Sequence, residues 1–181
     1  MVNKEILNEA FIKSIESEYI FDNAPINRLK KNEEKGGIDK KLIDLKEKIK
    51  SIEDCELKKF AKNIVFNDGN PKSQIMLVGE GPGEKEDTKG KPFVGEAGIL
   101  LNKMLNAIKI KREDVYITNV VNYRPPNNRK PEISEINRYS VFLREHISII
   151  NPKILILMGS TAMEAIFGQK LKISKERGKW K

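Results

Sequence analysis

The chain has 181 residues, of which 39% are hydrophobic and 33% charged, a composition that suits one apolar core beneath a heavily charged surface. Apolar runs such as Ile154 to Met158 fall far short of the ~20 residues that cross a bilayer, and Lys4, Glu5 and Glu9 interrupt any signal-like stretch, so no membrane association and a cytoplasmic location are expected. A net charge of +8 favours polyanionic partners, while a single cysteine and a single histidine exclude an intramolecular disulfide and a multi-histidine metal site.

Residues 1–50 read as a helical extension with a linker. Ile6, Leu7, Ala10, Phe11 and Ile15 form one helical stripe, and Leu42, Leu45, Ile49 and Ile52 form another. Pro25, the charged run from Lys30 to Lys35 and Gly36-Gly37 separate them without a hydrophobic period. These helices are expected to pad the domain or to contact a partner. Residues 51–181 are expected to form the domain proper. Cys55 reads as a buried, inert thiol.

From about residue 60, short apolar strands alternate with amphipathic helices. Ile75 to Val78, Val115 to Val121 and Ile154 to Met158 read as buried strands. The helix after the first carries Leu100, Leu101, Met104, Leu105 and Ile108 on one face. The next carries Ile136, Leu143, Ile147 and Ile150, and His146 within it reads as a surface or boundary residue. The last opens at Gly159-Ser160-Thr161 and ends at Gly168. The pattern predicts an α/β fold, a three-layer α/β/α sandwich around a parallel sheet with an N-terminal helical extension. Ligands of such sheets bind beyond the carboxyl ends of the strands, which singles out the loops after Val78, Thr118 and Met158.

The first of these loops runs Gly79-Glu80-Gly81-Pro82-Gly83-Glu84-Lys85-Glu86-Asp87 and continues to Gly90-Lys91-Pro92-Phe93-Val94-Gly95. Its glycines let backbone approach a ligand closely, but the spacing matches neither the dinucleotide fingerprint nor the P-loop. Glu80, Glu84, Glu86 and Asp87 would also repel phosphate. A tight turn presenting carboxylates and an aromatic ring to an uncharged planar ligand fits better. The second loop, Arg124-Pro125-Pro126-Asn127-Asn128-Arg129-Lys130, is stiff and cationic, suited to clamping phosphates, with a plain solvated connector as the alternative.

Taken together, these segments resemble family 4 uracil-DNA glycosylases. The glycine loop is similar to the family's first signature. Asn63 to Asn70 resembles its lead-in to the first strand, Asn119 to Pro131 its second-strand loop, and Met158-Gly159-Ser160-Thr161-Ala162 and Arg177-Gly178-Lys179-Trp180 later landmarks. The resemblance covers roughly residues 52–181. It implies that Phe93 stacks on a flipped-out uracil, that Asn119 reads the polar edge of the base, and that the loop of Gly81, Pro82 and Gly83 lies against it. An asparagine offers a donor and an acceptor together, which uracil satisfies and cytosine reverses. Glu80 is the candidate for the carboxylate near the scissile bond, stabilising the sugar cation or orienting water. Glu86 and Asp87 are alternatives that could equally cap the next turn or hold the loop. Arg124, Asn127, Asn128, Arg129 and Lys130 are the expected DNA contacts.

Two departures qualify the resemblance. The family's iron–sulfur cluster is held by four cysteines, whereas the matching positions here are Ile52, Cys55, Tyr123 and Tyr139, so no cluster or other cofactor is expected. The family's His-Pro-Ser type segment would follow Trp180, and the sequence stops at Lys181, so excision is expected to be slow. The sheet is likewise expected to leave an edge that a partner chain or fused segment could complete. The expected function is hydrolysis of the N-glycosidic bond of uracil in DNA. The alternative is an inactive DNA-binding remnant or a module of a phage-type DNA polymerase fusion.

Overall fold

Three apolar segments pair in parallel at the centre of the molecule: β2 (Ile75–Gly79), β3 (Tyr116–Asn119) and β4 (Ile154–Leu157). The computed structural model describes residues 37–179. The amino-terminal stripe from Ile6 to Ile15 lies outside the described residues. A two-residue antiparallel strand, β1 (Asp68–Gly69), flanks β3, and the order across the sheet is β1-β3-β2-β4. The second apolar run is thus shorter as a strand than its sequence suggested. Val120 and Val121 leave the ladder register but still donate backbone hydrogen bonds to Gly79 and Glu80 at 2.9 and 3.2 Å.

Side chains alternate across the sheet and build two cores. Met76, Val78 and Tyr116 point to one face, and Leu77, Val115 and Ile117 to the other. The first face is covered by α1 (Ile38–Lys50), α5 (Ile133–Ile150) and α6 (Ser160–Phe167). Leu42, Leu45 and Ile49 of α1 are buried in that core, so this helix belongs to the body of the fold. The second face is covered by α4 (Glu96–Ala107) through Leu101 and Leu105. Helices therefore lie on both faces of the sheet, the α/β/α arrangement expected.

Helix α4 corrects the single apolar face read from its sequence. Leu100, Met104 and Ile108 are exposed by 59%, 60% and 64%, on the side away from the sheet. A helix packed alone on a narrow sheet buries a stripe narrower than its apolar content. Three short helices complete the described fold: α2 (Glu56–Phe60), α3 (Glu84–Lys89) and α7 (Ile173–Glu176). No helix among the described residues is long and apolar enough to cross a membrane. β4 lies at a sheet edge, beside an apolar groove of about 540 Å³ lined by Ile156, Ile166, Phe167 and Ile173.

His146 is buried, not at the boundary. It joins Ile136, Tyr139, Leu143 and Ile150 on the inward stripe of α5. Its ring stacks on Phe66 with centroids 4.6 Å apart, and its Nε2 lies 2.6 Å from the Tyr116 hydroxyl. Burial lowers the imidazole pKa from 6.5 to about 3 and raises that of Tyr116, so a protonated phenol and a neutral ring share this hydrogen bond. The unfolded chain takes up a proton near pH 6.5 that the folded chain refuses. This contribution is therefore intact above that pH and is lost as pH falls towards 3. Between pH 8 and pH 5 the loss from this group should be about 2 kcal/mol. Urea denaturation at both pH values should show it as an excess pH dependence over His146→Gln; equal dependence in the two proteins would contradict it.

Candidate active site

The parallel register of β2 and β3 pairs Gly79 with Asn119 at the carboxyl ends of the two strands. Asn119 is 3% exposed, and its Oδ1 has no hydrogen-bond partner among the described residues. A buried acceptor left unpaired costs about 1–3 kcal/mol, so its retention calls for a reason. The Phe93 ring closes on the same point. A Cβ added to Gly79 would fall 2.5 Å from Asn119 Oδ1 and 2.5 Å from Phe93 Cζ. Only glycine fits there, and its absent side chain leaves the strand end beneath an aromatic ring and an unpaired amide oxygen. This is a small site with one flat apolar wall and one polar edge.

Phe93 is half-buried and has φ +53°, a left-handed backbone that a bulky residue adopts only when its surroundings enforce it. Those surroundings include Glu86. Its Oε1 accepts from the amides of Val94 and Gly95 at 2.9 and 2.6 Å, and its Oε2 accepts from Gly83 at 3.2 Å. Asp87 is 1% exposed, and its Oδ1 accepts from the amides of Lys62 and Asn63 at 2.9 and 3.0 Å. Both carboxylates bind backbone amides and hold the loop, the structural role that the sequence left open to them.

Glu80 differs from both. It follows Gly79 at the end of β2, is exposed, and accepts a 2.5 Å hydrogen bond at Oε2 from Thr161 Oγ1. Thr161 is fully buried in the first turn of α6, so the donor is fixed while the carboxylate faces solvent. Thr161 was visible in sequence only as part of the loop after the third strand, and its partner was not. Gly81 packs against the second loop: a Cβ there would lie 2.7 Å from Val121 and 4.0 Å from both Pro125 and Pro131. Pro82 is buried and Gly83 starts α3, so the three residues shape the turn between Glu80 and Glu86.

The cationic loop is adjacent, but its members differ in freedom. Arg129 forms a two-pronged pair with Glu135, at 2.8 and 2.7 Å, which holds the start of α5 and keeps the Glu135 carboxyl below its ordinary pKa. Arg124 Nε donates to Asn128 at 2.7 Å, and its Nη2 lies 3.9 Å from Glu84. Asn127 and Asn128 have φ of +53° and +55°, a backbone that asparagine tolerates, so both serve the turn. Lys130 is exposed beside them.

The positions matched to the family's cluster ligands converge. Cys55, Tyr123 and Tyr139 are buried in one core, with Ile52 packed against it. Cys55 Sγ lies 3.3 Å from the Tyr139 hydroxyl, and burial raises the pKa of both tyrosines. One thiol, two protonated phenols and an isoleucine do not fit a cluster that needs four thiolates. No group of metal-binding side chains occurs among the described residues.

Comparison with known proteins agrees with this geometry. A family model described as the uracil DNA glycosylase superfamily matches residues 66–181. The type-4 uracil-DNA glycosylase of Thermotoga maritima is 47% identical over 133 residues, which cover 73% of this chain and 69% of the relative. That of Sulfurisphaera tokodaii is 46% identical over 148 residues, covering 77% and 67%. A DNA polymerase of Bacillus phage SP01 is 35% identical over 124 residues, 68% of this chain but 13% of the polymerase. The matches span about two thirds of the length of these two glycosylases. The superfamily model covers more than half of the chain, and the glycosylases are alike over most of it, so the chain belongs to the type-4 uracil-DNA glycosylases of that superfamily.

Proposed function

We propose that this chain removes uracil from DNA by hydrolysing its N-glycosidic bond. The observation that carries the reading is the unpaired, buried Oδ1 of Asn119 beside the Phe93 ring. Uracil flipped out of the helix would stack on Phe93 and donate its N3–H to that oxygen, while the same amide's nitrogen donates to O4. Cytosine has an acceptor at N3 and a donor at N4, so it would leave the oxygen unpaired. In the reaction, water bonds to the sugar carbon as the C1′–N1 bond breaks, the electron pair leaves with the base, and the proton that the water loses balances the one the departing base takes up through solvent. Glu80 faces the sugar and offsets the positive charge developing there, held by Thr161. Single-turnover formation of abasic sites in a uracil-containing oligonucleotide tests the reading. Glu80→Gln should slow it by ~10²–10³, and an unchanged rate would remove Glu80 from the chemistry.

DNA is the partner, engaged through phosphates. Since Glu135 already occupies Arg129, Lys130 is the better phosphate contact. Lys130→Ala should reduce the slope of log affinity against log salt by about 1, and Arg129→Ala should change it less. The reverse ranking would contradict this assignment. A second reading, a binding module without turnover, is favoured by the similarity to the phage polymerase. It predicts uracil-DNA binding with no abasic product. The edge of β4 and its apolar groove suit a partner chain or further segment that extends the sheet. We also read the fold as carrying no iron–sulfur cluster, because its donor set does not fit one.

A further inference from the structure

We infer that Arg112 is a positioning residue for the stacking ring of Phe93, a role that rests on the uracil reading above. Arg112 occupies the short 3-10 turn leading into β3. Its guanidinium makes four hydrogen bonds. Nη2 donates to the Pro92 carbonyl at 2.7 Å and Nη1 to the Phe93 carbonyl at 3.0 Å. Nη1 also donates to Asn102 Oδ1 at 3.1 Å, and Nε donates to Asp68 Oδ2 at 2.8 Å.

The two carbonyls flank the residue whose φ is +53°. Glu86 holds the next two amides, so charged side chains grip the peptide groups on both sides of Phe93. The start of α4 leaves no slack: a Cβ on Gly98 would fall 1.8 Å from the Phe93 carbonyl oxygen. A left-handed phenylalanine persists only if its neighbours over-determine it, and these contacts do so. The planar fork of arginine reaches two successive carbonyls while its Nε faces Asp68, which the single ammonium of lysine does not reproduce. β3 has Arg112 just before its start and Asn119 at its end, so one strand carries both the support of the stacking wall and the reader of the polar edge.

A double-mutant cycle separates positioning from general support. Arg112→Met should lower single-turnover uracil excision ~10–10²-fold, the scale expected for a misplaced binding group. Phe93→Ala should lower it too, and adding Arg112→Met to Phe93→Ala should cost little more. Losses that multiply would overturn the inference. Amide hydrogen exchange reads the same clamp without turnover: Val94 and Gly95 should exchange faster in Arg112→Met, with β2 and β3 unchanged. Unaltered exchange at those amides would also overturn it. If Arg112→Met fails to fold, Asp68→Asn keeps the guanidinium but removes its ionic anchor, and should give the same pattern more weakly; no change at Val94 and Gly95 would count against the clamp. A wild-type chain that leaves uracil in place would sink the glycosylase reading alone, since exchange still decides the clamp.

Discussion

Asn119→Ala is expected to slow single-turnover uracil excision by ~10²–10³ without lowering thermal stability. The two halves of this expectation come from the same atom. Asn119 Oδ1 is buried with no partner among the described residues, so removing it relieves the cost of a desolvated acceptor, about 1–3 kcal/mol. That gain offsets the small cavity left by the side chain. In the proposed substrate complex the oxygen would gain the N3–H of uracil, and its loss would remove the group proposed to tell this base from cytosine. A site retained at a cost to the fold is a mark of function. Equal excision rates in the two proteins, or a variant markedly less stable than the wild type, would argue that Asn119 is an ordinary buried turn residue.

Tyr139→Ala is expected to destabilise the protein by about 3–5 kcal/mol, a large part of the stability of a domain this size. Tyr139 is fully buried, with its ring near Phe142 and its hydroxyl on Cys55. Tyr139→Phe keeps the ring and loses only the hydroxyl contact, so it should cost about 1 kcal/mol. The contrast tests whether the aromatic ring, more than its hydroxyl contact to Cys55, carries the packing at this position. The same account expects a colourless protein without stoichiometric iron, and Tyr139→Cys alone should not restore it, because Ile52 and Tyr123 still offer no thiolate. Chemical denaturation and metal analysis read these out. A visible absorbance shoulder with stoichiometric iron, or a Tyr139→Ala variant as stable as the wild type, would contradict it.

Much of the fold was legible because a parallel strand buried on both faces must be apolar throughout, as Ile75 to Val78 is; Ile154 to Leu157 is equally apolar but, read as a buried strand, proves an edge strand that is only half-buried, with Ile156 41% exposed. Glycine and proline then mark the loops that follow. Helix α4 misled because five apolar residues over nine positions exceed what one sheet face can bury, and periodicity alone does not say which stripe turns inward. His146 misled for a different reason: polarity argued for the surface, while Phe66 and Tyr116, distant in sequence, provide a stacking ring and a hydroxyl partner. At the candidate site, Phe93 and Asn119 were singled out through motif resemblance and Glu80 as a candidate carboxylate, and the folded chain brings Phe93 and Asn119 together at Gly79. The roles of Glu86 and Asp87 were left open, since a carboxylate that binds backbone amides looks in sequence like one that reaches a substrate. Arg112 carried no local signal at all, because its four acceptors come from Asp68, Pro92, Phe93 and Asn102, which only the folded chain assembles.

The most direct test of the central claim is to incubate the full chain in excess over oligonucleotides carrying one uracil or one cytosine, and to measure free base and abasic sites together. The account predicts free uracil in a one-to-one ratio with abasic sites from the first oligonucleotide, and neither product from the second. Folded protein that binds the uracil oligonucleotide yet releases no uracil would contradict it.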